Sequence, residues 1–462
     1  MFPTAEVGGD TVNTLFFALT ALGLLILAGV VLRLLLAPLR RLFIPAALIG
    51  GVLGAALGPY GAGLFPESMI TTWAGLPGIL ITVVFAPMLI GVRIPNVRQS
   101  YHLIAPQLLF GYIGDFLMIG VPMLVCGALL MPVWDVGPMF GTLIEVGWPG
   151  GHGTAGGMAP VYADLGWADG GPLGLASATG GLIFGIVMGM VLINIGARRG
   201  HLRHAAGSGG TGSETAPEIL PREERSGLGS VTLNRDLVDG LAFHGALIAV
   251  AVFIGWVLQY LLGLVVPGVP LFPLAMIGGA VVQAVIGRTR LGEAVDTGSL
   301  RAIQGAALDL LVVSAVASIS VPVVLANIVP LSLLMVVAAA VAVGFFYWAG
   351  PRMFRDSWFE HSIVNFGSLT AVASVGLMLL RTADPGLKTD AARAYALRAP
   401  FFSPFVGGGL VTALLPAIAL NYGPWALGIG GVVAALLLIA LARILRIWRR
   451  PGAPAPAADA AA

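Results

Sequence analysis

Apolar runs of about 20 residues, the length that crosses the hydrocarbon core of a bilayer, recur along this chain and limit its fold more than any other feature. They lie at 15–32, 43–58, 72–92, 103–131, 173–197, 237–265, 271–287, 302–321, 324–350, 400–418 and 424–445. Only 10% of the residues are charged and 58% are hydrophobic, whereas a soluble domain carries roughly 25% charged residues. The chain therefore reads as an all-α polytopic membrane protein. A formal net charge of +2 gives no electrostatic footprint for nucleic acid, so its partners are membrane lipid and small molecules. No Lys or Arg precedes the first run, while Glu6 and Asp10 do. That run is a permanent span with the N-terminus outside, not a signal peptide. Cys126, the single cysteine, lies in an apolar run and forms no internal disulfide.

Residues 145–157 read E-V-G-W-P-G-G-H-G-T-A-G-G, with six glycines and a proline in thirteen positions. Each glycine costs about 1 kcal/mol against alanine in a helix interior, so this stretch should break. Broken backbone at membrane depth is tolerated only where it is buried in protein or lines a wet cavity, which makes it a candidate binding site. The alternative is a close-packing surface, although packing motifs keep the helix whole.

All 24 basic residues fall at or between the ends of the runs, in groups at 33–41, 93–98, 198–235, 288–301, 352–355, 381–398 and 443–450. The connections at 59–70, 132–138, 166–172, 266–270 and 419–423 have none. With basic groups cytoplasmic, the sides alternate only if 139–165 enters and leaves from outside and 361–380 enters and leaves from inside. Both become re-entrant hairpins. I-P-A-A-L-I-G-G at 44–51 matches F-P-L-A-M-I-G-G at 272–279, and five crossings in the first half invert the second. The expected organisation is two inverted-topology repeats of about five transmembrane helices, each with a re-entrant hairpin. Residues 1–197 and 237–418 form the repeats. A cytoplasmic linker with six arginines covers 198–236, an extra C-terminal helix 419–448, and a disordered tail 449–462. Paired interruptions in inverted repeats are the pattern of secondary transporters, with the site where the two meet.

With no Lys or Arg deep in any expected span, an anionic solute would be met by helix N-termini, backbone N–H groups and hydroxyls. The substrate-binding candidates are Gly151, His152, Gly153 and Thr154 in the first interruption, and Gly367, Ser368 and Thr370 in the second. Asp115, Asp309, Asn365 and Thr179 are ion-coupling candidates, because intramembrane carboxylates mark cation paths or proton relays. Carbonyls freed near Gly150, Gly153 and Gly367 are hard oxygen ligands suited to Na⁺. Asn194, His244 and Asn327 read as interhelical hydrogen-bond partners.

Several enzyme motifs fail. Residues 207–212 have the glycine spacing of a phosphate loop, but Ser213 replaces its Lys. No H-E-x-x-H occurs, and Ile113 spoils the G-x-G-D context of an intramembrane aspartyl hydrolase built on Asp115 and Asp309. The chain is expected not to be an enzyme and to need no cofactor beyond a coupling ion.

G-G-H-G-T-A at 150–155 with A-T-G-G-L-I-F-G at 178–185 resembles the first-half signature of the bacterial sodium/glutamate symporters. I-P-A-A-L-I-G-G falls where that family has I-P-E-P-V-x-G-G, and Thr370, Ala371, Ala373 and Arg381 match its T-P-T-A-I-A-N stretch and the following Arg. P-F-V-G-G at 404–408 matches its P-x-V-G-A. The resemblance implies Na⁺-coupled uptake of glutamate across the bacterial inner membrane by an inverted-repeat homodimer. Leu369 replaces the family's Pro, Ser374 its Asn, Thr412 its closing acid, and Ala46 and Ala47 its Glu-Pro. These departures leave open a different organic anion, or H⁺ coupling through Asp115 or Asp309. The extra helix puts the C-terminus inside.

Overall fold

A computed structural model describes residues 8–41, 44–92, 97–203, 223, 227–234, 236–264, 269–354 and 357–448. Most of the expected linker and the whole of the expected C-terminal tail, 449–462, lie outside them. The described residues are helical, with no strand. In the first half, α1 (Gly9–Leu35), α2 (Ala37–Arg41), α3 (Ala46–Leu57) and α4 (Glu67–Phe85) precede the long α5 (Val97–Val125), which runs through a π-turn into α6 (Met131–Trp134). Then come α7 (Leu143–Gly147), α8 (Gly151–Asp164) and α9 (Gly170–Arg198). The second half holds α10 (Gly240–Gly263), α11 (Leu271–Ile286), α12 (Arg290–Glu293), α13 (Thr297–Ala317), α14 (Val321–Ala326) and α15 (Ile328–Met353). It continues with α16 (Trp358–Thr370), α17 (Ala373–Ala383), α18 (Ala391–Phe402) and α19 (Leu410–Ile444).

Eight helices among the described residues are long and apolar enough to cross a membrane, and the chain is a multi-pass membrane protein. Three expected spans change, one of them the run at 271–287, which yields only the 16-residue α11. The run at 43–58 yields only α3, and 12 residues rise about 18 Å at 1.5 Å each, short of the roughly 30 Å hydrocarbon core. The run at 400–418 is not one helix. Its chain breaks between α18 and α19, where Gly407 and Gly408 take φ of 66° and 104°. The run at 424–445 forms its own helical segment of α19, set off from the part before it by non-helical backbone at Gly423, φ 79°.

Three of the hydrophobic cores hold the helices together. One small core joins Leu22 of α1, Trp73 of α4 and Val313 of α13, with the Trp73 indole N–H donating to the Ala18 carbonyl at 3.0 Å. Another joins Ile248 of α10, Ala275 and Ile286 of α11, and Ala86 just beyond α4. The largest core gathers Phe110 and Ile113 of α5, Leu143 of α7, Met158 of α8, Leu182 of α9, Phe346 of α15 and Ile363 of α16. The matched I-G-G segments do matched work. A Cβ on Gly50 of α3 would strike the Leu25 carbonyl of α1, and one on Gly51 the Val316 side chain of α13. A Cβ on Gly278 of α11 would strike the Ala251 carbonyl of α10, and one on Gly279 the Ala86 carbonyl. In each case one glycine admits the helix of its own half and the next admits the other half.

Of the expected interhelical polar residues, only His244 bridges elements. Its Nδ1 donates to the Gly240 carbonyl at 2.6 Å and its Nε2 accepts from the Asp296 N–H at 2.8 Å, ahead of α13. Asn194 and Asn327 bond to carbonyls one turn back in their own neighbourhood, Met190 and Val323.

Replacing Gly278 with Val should cost at least the ~1–3 kcal/mol of an overpacked core. Gly245→Ala on α10, where nothing lies within 4 Å, should leave the melting temperature of the detergent-solubilised protein unchanged or slightly raised. Melting curves of the two variants beside the parent test this.

Candidate functional site

The glycine-rich stretch breaks where its composition demands. Residues 139–165 double back, so that the Thr142 and Tyr162 hydroxyls, one on each arm, lie 2.7 Å apart. The turn falls at 148–151, with Gly151 at φ 69°. In the second interrupted segment α16 and α17 also lie side by side. An added Cβ on Gly367 would come 2.7 Å from the Gly376 Cα, so both arms need glycine to approach. Their turn, at Ala371 and Val372, meets the first one. The Val372 side chain occupies the space where a Cβ of Gly151 would go. Helix α9 is the platform beneath both turns. Gly181 lies under the Trp148 ring and the Thr370 carbonyl, and Gly185 under the Thr370 side chain.

Beside the meeting point is a cavity of about 340 Å³. Its polar lining comes from Asp115 of α5, Asn365 and Ser368 of α16, and Tyr395 and Arg398 of α18, with Gly150 from the first turn and Gly407 from the break before α19. The opposite wall is apolar, and α13 contributes Leu308.

Arg398 is a buried cation beside the cavity, carried by the 12-residue α18, which is not among the helices long enough to cross a membrane. It is 2% exposed, because Ala391, Ala394, Tyr395, Arg398 and Phe402 form the buried stripe of α18 at the spacing of one helix face. Burying a charge is costly unless it is paired and hydrogen-bonded. The guanidinium Nη1 donates to the Gln107 carbonyl, 3.1 Å away, and to Asn365 Oδ1. The group also lies over the Tyr395 and Phe402 rings, at 4.5 and 4.2 Å, a cation–π arrangement. The network has one direction. Asn365 Nδ2 donates to Gln107 Oε1 at 2.7 Å, and Gln107 Nε2 donates in turn to His361 Nδ1 at 2.8 Å. The His361 ring is stacked on Phe354 at 4.6 Å. Tyr395 donates its hydroxyl to Ser368 Oγ at 2.9 Å.

The expected site residues separate into three sets. Asp115, Asn365, Ser368 and Gly150 line the cavity, and Gly151 forms the turn at its edge. His152 and Thr179 engage each other, Nε2 to Oγ1 at 3.0 Å, and neither lines the cavity. Thr370 gives its hydroxyl to the Phe366 carbonyl at 2.8 Å, Gly153 packs on Leu308, and Gly367 packs on Gly376. Thr154 lies against Gly408. Asp309 is exposed on α13 and lies outside the cavity that Asp115 lines.

Glu145 is a further residue the sequence pattern did not single out. It is 1% exposed on α7 and accepts from the Gly407 N–H at 3.1 Å and the Thr412 hydroxyl at 2.9 Å. Comparison with protein-family models and with curated proteins gives no match. The chemistry of the site must be judged from its geometry.

Asn365→Leu should lower stability by the ~1.5–3 kcal/mol of a hydrogen bond to a charged group, since it leaves Arg398 in place with fewer acceptors. Arg398→Met should cost no more, because replacing a buried charge by an apolar group of similar volume is often neutral or stabilising. Melting temperatures of the two variants provide the comparison.

Proposed function

We propose that the chain is a secondary active transporter that carries a small anionic solute, glutamate or a related amino acid, by alternating access with an inward-moving cation. The carrying observation is the buried, anchored guanidinium of Arg398 on a small cavity at the meeting point of two interrupted helical segments. Cavities of about 300–1,000 Å³ hold small ligands, and 340 Å³ suits a solute of amino-acid size. Arg398 would bind a carboxylate, since its planar fork matches that geometry, and Asp115 would face the ammonium group. Asn365, Ser368 and Tyr395 would supply neutral hydrogen bonds, and the two turns the peptide dipoles.

In this proposal the paired segments are re-entrant hairpins of two inverted repeats, joined at the cytoplasmic linker. The matched packing of Gly50–Gly51 and Gly278–Gly279 supports that symmetry. The protein works in a bacterial inner membrane, as a homodimer, with the N-terminus outside and the C-terminus cytoplasmic. Sodium is the coupling ion, because a monoanion entering a negative interior is opposed by about 2.3 kcal/mol per 100 mV, and two or more cations per solute reverse that sign. Coupling to H⁺ through Asp115 is the second reading. An aspartyl hydrolase would need two acids sharing a proton, and Asp309 does not share the Asp115 cavity.

Uptake of radiolabelled glutamate into proteoliposomes, with an inward Na⁺ gradient against matched K⁺ and pH-gradient controls, tests this. Sodium-dependent accumulation is expected, and Arg398→Met should lower solute affinity about 10–100-fold, the equivalent of ~1.5–3 kcal/mol. If no amino or dicarboxylic acid is accumulated by folded, reconstituted protein, the proposal fails.

A further inference from the structure

Between α7 and the break before α19 lies a cluster of buried oxygens that the proposed solute site does not use. Glu145 Oε1 is held by the Gly407 N–H and the Thr412 hydroxyl, while Oε2 is buried with no hydrogen-bond partner. Thr412, also buried, accepts from the Gly408 N–H at 3.0 Å. The Thr154 hydroxyl abuts the same glycine, close enough that a Cβ on Gly408 would collide with it. On the cavity side stands Asp115, 1% exposed, within electrostatic reach of Glu145 and with its own Oδ2 unpartnered.

We propose that Glu145, Thr412 and Thr154 form a binding site for one hard monovalent cation, of which Na⁺ is the physiological and experimental probe. A buried carboxylate oxygen without a partner is an uncompensated charge, and a bound cation compensates it. The donors are oxygens, which select hard alkali or alkaline-earth ions over transition metals. Glu145 is the one carboxylate among the proposed ligands, so the site matches a single positive charge. Arg398, the cation of the cavity, is anchored on Gln107 and Asn365 and leaves Glu145 uncompensated.

The site is built on the element that also closes the cavity. Gly407 donates to Glu145 and lines the cavity, so a cation held by Glu145 and Thr412 fixes one wall of the solute site. By linkage, solute and cation then strengthen each other's binding. Only this coupling role rests on the transporter proposal. Occupancy of the cation site does not.

The test uses purified protein in detergent without solute, with NaCl replacing choline chloride at constant ionic strength and pH. Tryptophan fluorescence and melting temperature are followed, Trp148 being three positions beyond Glu145. A saturable Na⁺ response is expected in the parent and should vanish in Glu145→Gln. Thr412→Val should shift its midpoint upward about 10–100-fold, as loss of a group that orients a ligand does. Parent protein without a saturable Na⁺ response, or Glu145→Gln with the parental midpoint, overturns the proposal. So does a response to pH alone that Glu145→Gln removes, which assigns the carboxylate to a proton. Size-exclusion profiles control for folding, and if Glu145→Gln does not fold, an unchanged midpoint in Thr412→Val overturns the proposal. An intact Na⁺ response in protein that accumulates no solute would remove the transport reading and leave the site standing.

Discussion

Backbone N–H and C=O groups released by a broken helix find no water in the interior of a bilayer and must be met by protein. The arrangement around the cavity follows from that requirement. Three interruptions come together, at 148–151, at Ala371–Val372 and at 403–409, and each is covered by the others. The first two turns abut through Gly151 and Val372 over the glycines of α9. The third is closed by Glu145 and Thr412, which take the N–H groups of Gly407 and Gly408.

Polar side chains inside this cluster are oriented, not merely tolerated. Arg398 sits on α18 because the helix turns that position toward α5 and α16, where the Gln107 backbone carbonyl and the Asn365 side-chain oxygen accept from its guanidinium, the second a bond that an apolar residue could not accept. The chain of donors from Asn365 through Gln107 to His361 leaves His361 Nδ1 an acceptor. A satisfied network of this kind specifies one arrangement, whereas a half-satisfied one would be worse than an apolar core.

Much of this was legible in the residues and some was not. Apolar runs located most of the long helices because length and hydrophobicity are local properties, and the glycine density at 145–157 marked a break for the same reason. The matched I-G-G segments announced a shared packing role, which Gly50 and Gly278 fulfil. Arg398 was overlooked because its sequence neighbours, Pro400 onward, look like the start of an apolar span, while the period of the buried stripe from Ala391 to Phe402 carried the contrary signal. Glu145 could not be recognised locally at all, since its partner Thr412 is 267 positions away. His152 and Thr179, expected in separate roles, face each other and not the cavity, a matter of side-chain direction that spacing does not decide.

The uneven lining of the cavity has a mechanical meaning. Every charged or hydrogen-bonding side chain on it belongs to one group of elements, α5, α16, α18 and the break after it, while a second group, α13 and the turn after α4, contributes the apolar Leu308 and Met88. A shift of one group past the other would break no hydrogen bond between the ligand and its cage. Cargo and cage would move as one body along a greasy rail, and the rail, making no polar contact, would need no knowledge of what it carries.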